Sequence, residues 1–237
     1  MEGRVMTTTG DITNVVLVHG AFADGSGWRR VYDLLTARGY RVSIVQNPLT
    51  SFADDVAATK RVLDAQDGPA ILVGHSWGGT VITEAGVHPK VAGLVYVSAL
   101  IPDAGETSGQ QYEGFAATPE FVIDVTDDGF GHLNRDAFRP GFAADLSEAD
   151  AAFLADSQVP VNMAVFGEAV TVAAWRDKPS WAVIATEDKA FDQAMLQHMA
   201  TRIGADITNV PGSHALFISQ AETVADVIVT ASSSAAR

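Results

Sequence analysis

A serine held between two glycines, Gly74-His-Ser-Trp-Gly78, closes the apolar run Ala70 to Val73 and precedes a stretch whose Val81, Ile82 and Ala85 share one helical face. Strand, tight turn and helix in that order push a serine hydroxyl outward. Small residues at 74 and 78 are required because a side chain there would collide with the neighbouring strand or helix. The same pattern also serves a purely structural turn, so Ser76 reads as a nucleophile only if a base exists to take its proton. Of the six histidines, His214 is best placed, in Val210-Pro-Gly-Ser-His-Ala215 directly after the last apolar run. An imidazole base needs an acid to fix its tautomer and to stabilise the cation it becomes. Thr186-Glu-Asp-Lys189 follows another apolar run and completes the chain order serine, acid, histidine. Asp188 is the choice and Glu187 the reserve, and spacing alone hardly separates them.

Attack on a carbonyl creates an oxyanion that needs two preorganised N–H donors. Trp77 follows the serine, and Ala21 lies in Val18-His-Gly-Ala-Phe22 at the end of the first apolar run, so their backbone amides are the candidates. Phe22 is the less favoured second donor. Phe22 and His75 are assigned to the substrate-binding surface, His75 with a share in packing and site shape. His19 is read as stabilising its loop by hydrogen bonding, and His88, His132 and His198 as surface or lid residues.

These residues need a scaffold. Val15 to Val18, Val42 to Val45, Ala70 to Val73 and Val91 to Val97 are short, β-branched and nearly uninterrupted, as strands of a parallel sheet buried on both faces must be. Between them Trp28, Val31 and Leu35 mark a helix closed by Gly39. Phe52, Val56, Thr59 and Leu63 mark another, with Ser51 and Asp54 spaced as a cap. Such alternation implies right-handed crossovers and an α/β fold. Residues 102–179 break it and are expected to form an inserted, mostly helical lid, with Ser147 to Asp150 opening a helix through about Ser157. Alternation resumes with strands at Trp181 to Ala185 and Asp206 to Val210, around a helix carrying Leu196, Met199 and Ile203. A last helix carries Ser219 and Glu222 as a capping box and ends in a frayed tail from Ser232. The expectation is one domain, 1–237, on a mostly parallel sheet of about six strands flanked by helices.

Composition narrows the function. An apolar fraction of 47% over 237 residues supports a substantial core. A net charge of −14 disfavours nucleic acid and anionic lipid as partners. With no cysteine there is no disulfide, thiolate nucleophile or Cys-ligated zinc. Glycines 20, 25 and 27 do not make G-x-G-x-x-G, Gly74 to Thr80 lacks a G-K-[ST] ending, and no H-E-x-x-H occurs, so neither a nucleotide nor a metal is called for and no cofactor is expected. Met1 to Asn14 lacks the apolar core of a secretory signal, and no run reaches a membrane-spanning length. A soluble cytoplasmic protein is expected, with a small-molecule partner and a homodimer as a possible assembly.

Leu17-Val-His-Gly-Ala21 with Trp28 soon after, Gly74-His-Ser-Trp-Gly-Gly79, Thr186-Glu-Asp-Lys189 and Gly212-Ser-His214 together resemble the α/β-hydrolases of the small esterase branch, related to plant methylesterases and hydroxynitrile lyases and to bacterial homologues. The resemblance spans nearly the whole chain and is weakest in the lid. It implies Asp188 as the acid and a sheet that begins at the strand the wider fold counts third. The lyases carry a threonine at the position of Gly20 and a lysine at that of Ala215, so cyanohydrin cleavage is not implied. An aspartate in place of Ser76 would mark an epoxide hydrolase or dehalogenase. What it implies is cleavage of a small, neutral carboxylic ester, lactone or thioester through an acyl-enzyme. The alternatives are a ligand receptor that keeps the triad, and a cofactor-free perhydrolase in which peroxide attacks the acyl group. Phe115, Phe121, Phe130, Phe138, Phe142, Phe153 and Trp175 are the lid aromatics available for a pocket, more of them expected in lid core than in pocket wall.

Overall fold

A computed structural model describes residues 12–236. Residues 1–11, most of the stretch read above as lacking a secretory core, lie outside the described residues. The chain runs β1 (Asn14–Val18), α1 (Arg29–Ala37), β2 (Arg41–Val45), α2 (Phe52–Asp64), β3 (Ala70–Ser76), α3 (Trp77–Ala85) and β4 (Val91–Ala99). The lid segment follows with β5 (Ile123–Val125), β6 (Phe130–Leu133), α4 (Arg135–Phe142), α5 (Glu148–Asp156) and β7 (Val161–Asn162). The body resumes with β8 (Ser180–Ala185), α6 (Gln193–Arg202), β9 (Asp206–Val210), α7 (Leu216–Ser219) and α8 (Ala221–Ala235).

Six strands pair in the order β2-β1-β3-β4-β8-β9, every pairing parallel. β1 has β2 on one side and β3 on the other, so the strand order reverses at β1 and β3. Open parallel sheets gather ligands outside the carboxyl ends of strands at such a reversal. The apolar runs explain the burial: Val15, Val16, Leu17 and Val18 are fully buried, as are Ile71, Leu72 and Val73. Each such side chain contributes about 1.5–3 kcal/mol relative to exposure. The interior strands are therefore rigid supports for whatever their ends carry.

Side-chain caps and a left-handed glycine define several helix ends. The Ser51 hydroxyl accepts from the Asp54 N–H at 3.1 Å. Gly39 ends α1 with φ of +90°, and the Ser147 hydroxyl accepts from the Asp150 N–H at 3.1 Å at the start of α5. Two expectations fail at the C-terminus. Ser219 closes α7 instead of capping α8, whose N-cap, Gln220, makes no side-chain cap bond. Nor does the tail fray from Ser232, which is buried within α8 with its hydroxyl bonded to the Ile12 carbonyl. Small Ser and Ala side chains let this helix lie close to the sheet.

The lid is also less helical than expected. β5, β6 and β7 form a three-stranded antiparallel sheet beside α4 and α5. The hairpin turn is Thr126-Asp-Asp-Gly129, with Gly129 at φ of +84° and the Thr126 N–H bonded to the Phe130 carbonyl at 2.8 Å. Asp-Gly between short apolar stretches is the sequence signal for it. Among the described residues, no helix is long and apolar enough to cross a membrane.

Candidate active site

Ser76 ends β3 and Trp77 begins α3, so the backbone reverses within one residue. Ser76 takes φ of +53° and ψ of −122°, a conformation costing a non-glycine residue about 1–3 kcal/mol. The surrounding glycines allow it. A Cβ on Gly74 would lie 2.5 Å from the Gly78 carbonyl oxygen, one on Gly78 would lie 2.6 Å from the Val18 oxygen, and one on Gly20 would lie 2.8 Å from Cβ of Ser76. Backbone cannot step aside as a side chain can. Gly78→Ala is therefore expected to lower the free energy of unfolding by about 2 kcal/mol or more. Urea denaturation checks this, a midpoint equal to that of the wild type being the contrary result.

His214 lies in the loop between β9 and α7. Its Nδ1–H donates to Asp188 Oδ2 at 2.8 Å, and both side chains are fully buried. Asp188, in the loop after β8, also accepts from the N–H groups of Ala190 at 2.8 Å and Phe191 at 3.0 Å through Oδ1. Glu187 points its carboxylate into no such pocket and is exposed. With Nδ1 carrying the proton, Nε2 holds the lone pair. It is buried, and no hydrogen bond joins it to the Ser76 hydroxyl in this conformation. The lid fixes this loop from outside: the Ser213 N–H donates to Asp145 Oδ2 at 3.1 Å and the Ala215 N–H to the Phe142 carbonyl at 3.0 Å.

A cavity of about 220 Å³ opens over the serine, lined by Ala21, Phe22, Ser76 and Trp77 together with Phe121 of the lid. His75 is not in its wall, which corrects its assignment to substrate binding. Being next in sequence to an outward-turned serine, its side chain points into the protein, where it is buried and Nε2–H donates to the His214 carbonyl at 2.9 Å. Burial, and then the neighbouring His214, hold its pKa well below the ordinary histidine value. It is thus a neutral donor that ties the serine's strand to the histidine's loop. His19 does hold its own loop: Nδ1–H donates to the Gly20 carbonyl at 2.8 Å and Nε2 accepts from the Asn47 N–H at 2.9 Å, with burial lowering its pKa.

Tyr112, Phe166 and Phe191 supply cavity walls that sequence reasoning missed. Of the lid aromatics proposed from sequence, Phe121 alone lines the cavity. Phe138 and Phe142 are core, Phe142 with its ring centroid 5.0 Å from that of His214. Phe115 packs on His198, Trp175 donates to the Pro102 carbonyl, and Phe153 is 61% exposed.

The chain matches the model of the alpha/beta hydrolase family over residues 15–227. A pyrethroid hydrolase of Sphingobium wenxiniae is 28% identical over 92% of this chain and 86% of its own length. A carbendazim hydrolyzing esterase of a Nocardioides species is 32% identical over 40% of this chain and 46% of its own. In fold, the chain is similar to a pyrethroid hydrolase structure with TM-score 0.83, 24% identity and coverage of 95% and 100%. It is also similar to polyneuridine aldehyde esterase with TM-score 0.79, 18% identity and coverage of 92% and 98%.

Proposed function

This chain belongs to the alpha/beta hydrolase family, and on that premise we propose that it is an enzyme of carboxylesterase type in which Ser76, His214 and Asp188 form the catalytic triad. The single observation that carries the reading is the 2.8 Å bond from His214 Nδ1–H to Asp188, which leaves Nε2 as the basic nitrogen at a site whose serine is held in a strained turn. Ser76 Oγ attacks the acyl carbon as Nε2 takes its proton. Asp188 stabilises the imidazolium without accepting the proton itself. Trp77, first residue of α3, offers the oxyanion an N–H that a helix start leaves without an intrahelical partner, and Ala21, in the turn after β1, offers the second. The imidazolium then protonates the departing alcohol. Water attacks the acyl carbon as Nε2 takes one of its protons; the bond to Ser76 Oγ then breaks as the imidazolium returns that proton to Oγ, and the acid is released.

The substrate proposed is a neutral, largely apolar ester. The cavity walls are mostly aromatic or aliphatic, and the net charge of −14 slows approach of anions. The similarity to a pyrethroid hydrolase and to a carbendazim hydrolyzing esterase supports an ester or related acyl substrate. Turnover of a panel of aryl and alkyl esters, lactones and thioesters tests the reading. Multiple turnovers on an apolar ester are expected. Tight binding of these compounds with no turnover would instead make the protein a receptor.

A further inference from the structure

Asp55, on α2, is the one fully buried aspartate of the described residues outside the triad, and the mechanism above does not use it. Its two oxygens serve different donors. Oδ2 accepts from the Trp77 indole Nε1–H at 2.8 Å, and Oδ1 accepts from the Leu49 N–H at 2.8 Å. Both partners sit in places that need holding. Leu49 has φ of +58°, unfavourable for a branched side chain, and its carbonyl accepts from Asn162 of the lid at 2.9 Å. Trp77 follows the strained serine, begins α3 and lines the cavity, with its ring packed on Phe52 at 5.7 Å and Phe166 at 5.3 Å between centroids.

We propose that Asp55 is a positioning residue for acyl transfer: by gripping the Trp77 indole it fixes both the cavity wall and the backbone amide that meets the oxyanion. The proposal rests on the Ser76 reading. A buried charge is expensive, and a structural contact between α2 and α3 alone is made more cheaply by apolar side chains. A carboxylate is distinctive in taking two N–H donors at once. An asparagine there offers one acceptor oxygen and turns an NH2 group against the other donor.

The charged groups that face Asp55 are Asp54 on its own helix and Glu168 on the lid, both acidic; the loop at Leu49 and the start of α3 present no titratable side chain. Burial first, then these neighbours, raise its pKa against the pull of its two hydrogen bonds, to about 6. As pH falls through that value the carboxyl gains a proton and loses an acceptor site, so its grip on Trp77 loosens on the acid side.

The test combines a spectroscopic signature with a cycle of variants. The chain has four tryptophans, so its 1H–15N spectrum holds four indole signals, and Trp77→Phe identifies one of them. That signal is expected to shift with a midpoint near pH 6 in the wild type and to lose the titration in Asp55→Asn. The rate of phosphonylation of Ser76 by a fluorophosphonate, which needs no known substrate, is expected to fall about tenfold or more in Asp55→Asn and in Trp77→Phe. In the double variant it should fall no further, because the two residues act as one unit. Losses that multiply in the double variant, or an Asp55→Asn protein labelled as fast as the wild type, overturn the proposal. A wild-type protein that is not labelled at all instead overturns the triad reading, whatever the indole signal does.

Discussion

Ser76→Ala is expected to lower kcat/KM for ester hydrolysis by about 10⁴- to 10⁶-fold while leaving the circular dichroism spectrum and the unfolding midpoint close to those of the wild type. The size follows from the arrangement: nucleophile and base act as a unit, so removing one loses nearly all that the unit contributes. The small structural effect follows from the same geometry. No hydrogen bond joins the hydroxyl to His214 Nε2, so deleting it breaks no buried pair there, and alanine meets the same strained φ of +53° that serine does. Residual hydrolysis above the uncatalysed rate would come from the oxyanion donors and the cavity. Steady-state kinetics on any ester the wild type turns over gives the answer, and loss of less than about tenfold would assign the nucleophile elsewhere.

Asp188→Asn is expected to cost about 10⁴ in kcat, and Glu187→Gln less than about twofold. In the wild type Nδ1–H donates to the carboxylate, and Nε2 is left as acceptor. In the asparagine variant the N–H groups of Ala190 and Phe191 still call for an acceptor, so the amide oxygen turns to them and the amide NH2 faces the imidazole. The ring then takes the opposite tautomer, with its proton on Nε2, and cannot accept one from serine. Glu187 is exposed and touches no part of this pair. Equal losses in the two variants would contradict the assignment.

The parallel sheet was legible because burial on both faces leaves an uninterrupted apolar run, and the interior strands β1, β3, β4 and β8 carry such runs. The serine turn was legible for a steric reason: positions 74 and 78 admit only glycine beside the Val18 carbonyl and the opposite arm of the turn. Other features depend on contacts between distant parts of the chain. Asp188 and Glu187 are adjacent in sequence, and only the fold of the loop after β8 buries one and exposes the other. His75 read as a site residue because it touches Ser76 in sequence, yet a sharp turn sends successive side chains in opposite directions. Phe166 and Phe191 lie in stretches with no periodic pattern, so nothing local marked them as cavity walls. The lid hairpin has its turn signal in Asp128-Gly129, but its strands of three and four residues are too short to show an alternating pattern.

The most direct measurement of the central claim is the site of covalent labelling. Fluorophosphonate treatment followed by peptide mass spectrometry should place one adduct per chain on Ser76. The adduct should be absent from Ser76→Ala and should form far more slowly in His214→Ala. An adduct on a different residue, or labelling of Ser76 at the same rate without the imidazole, would contradict the account.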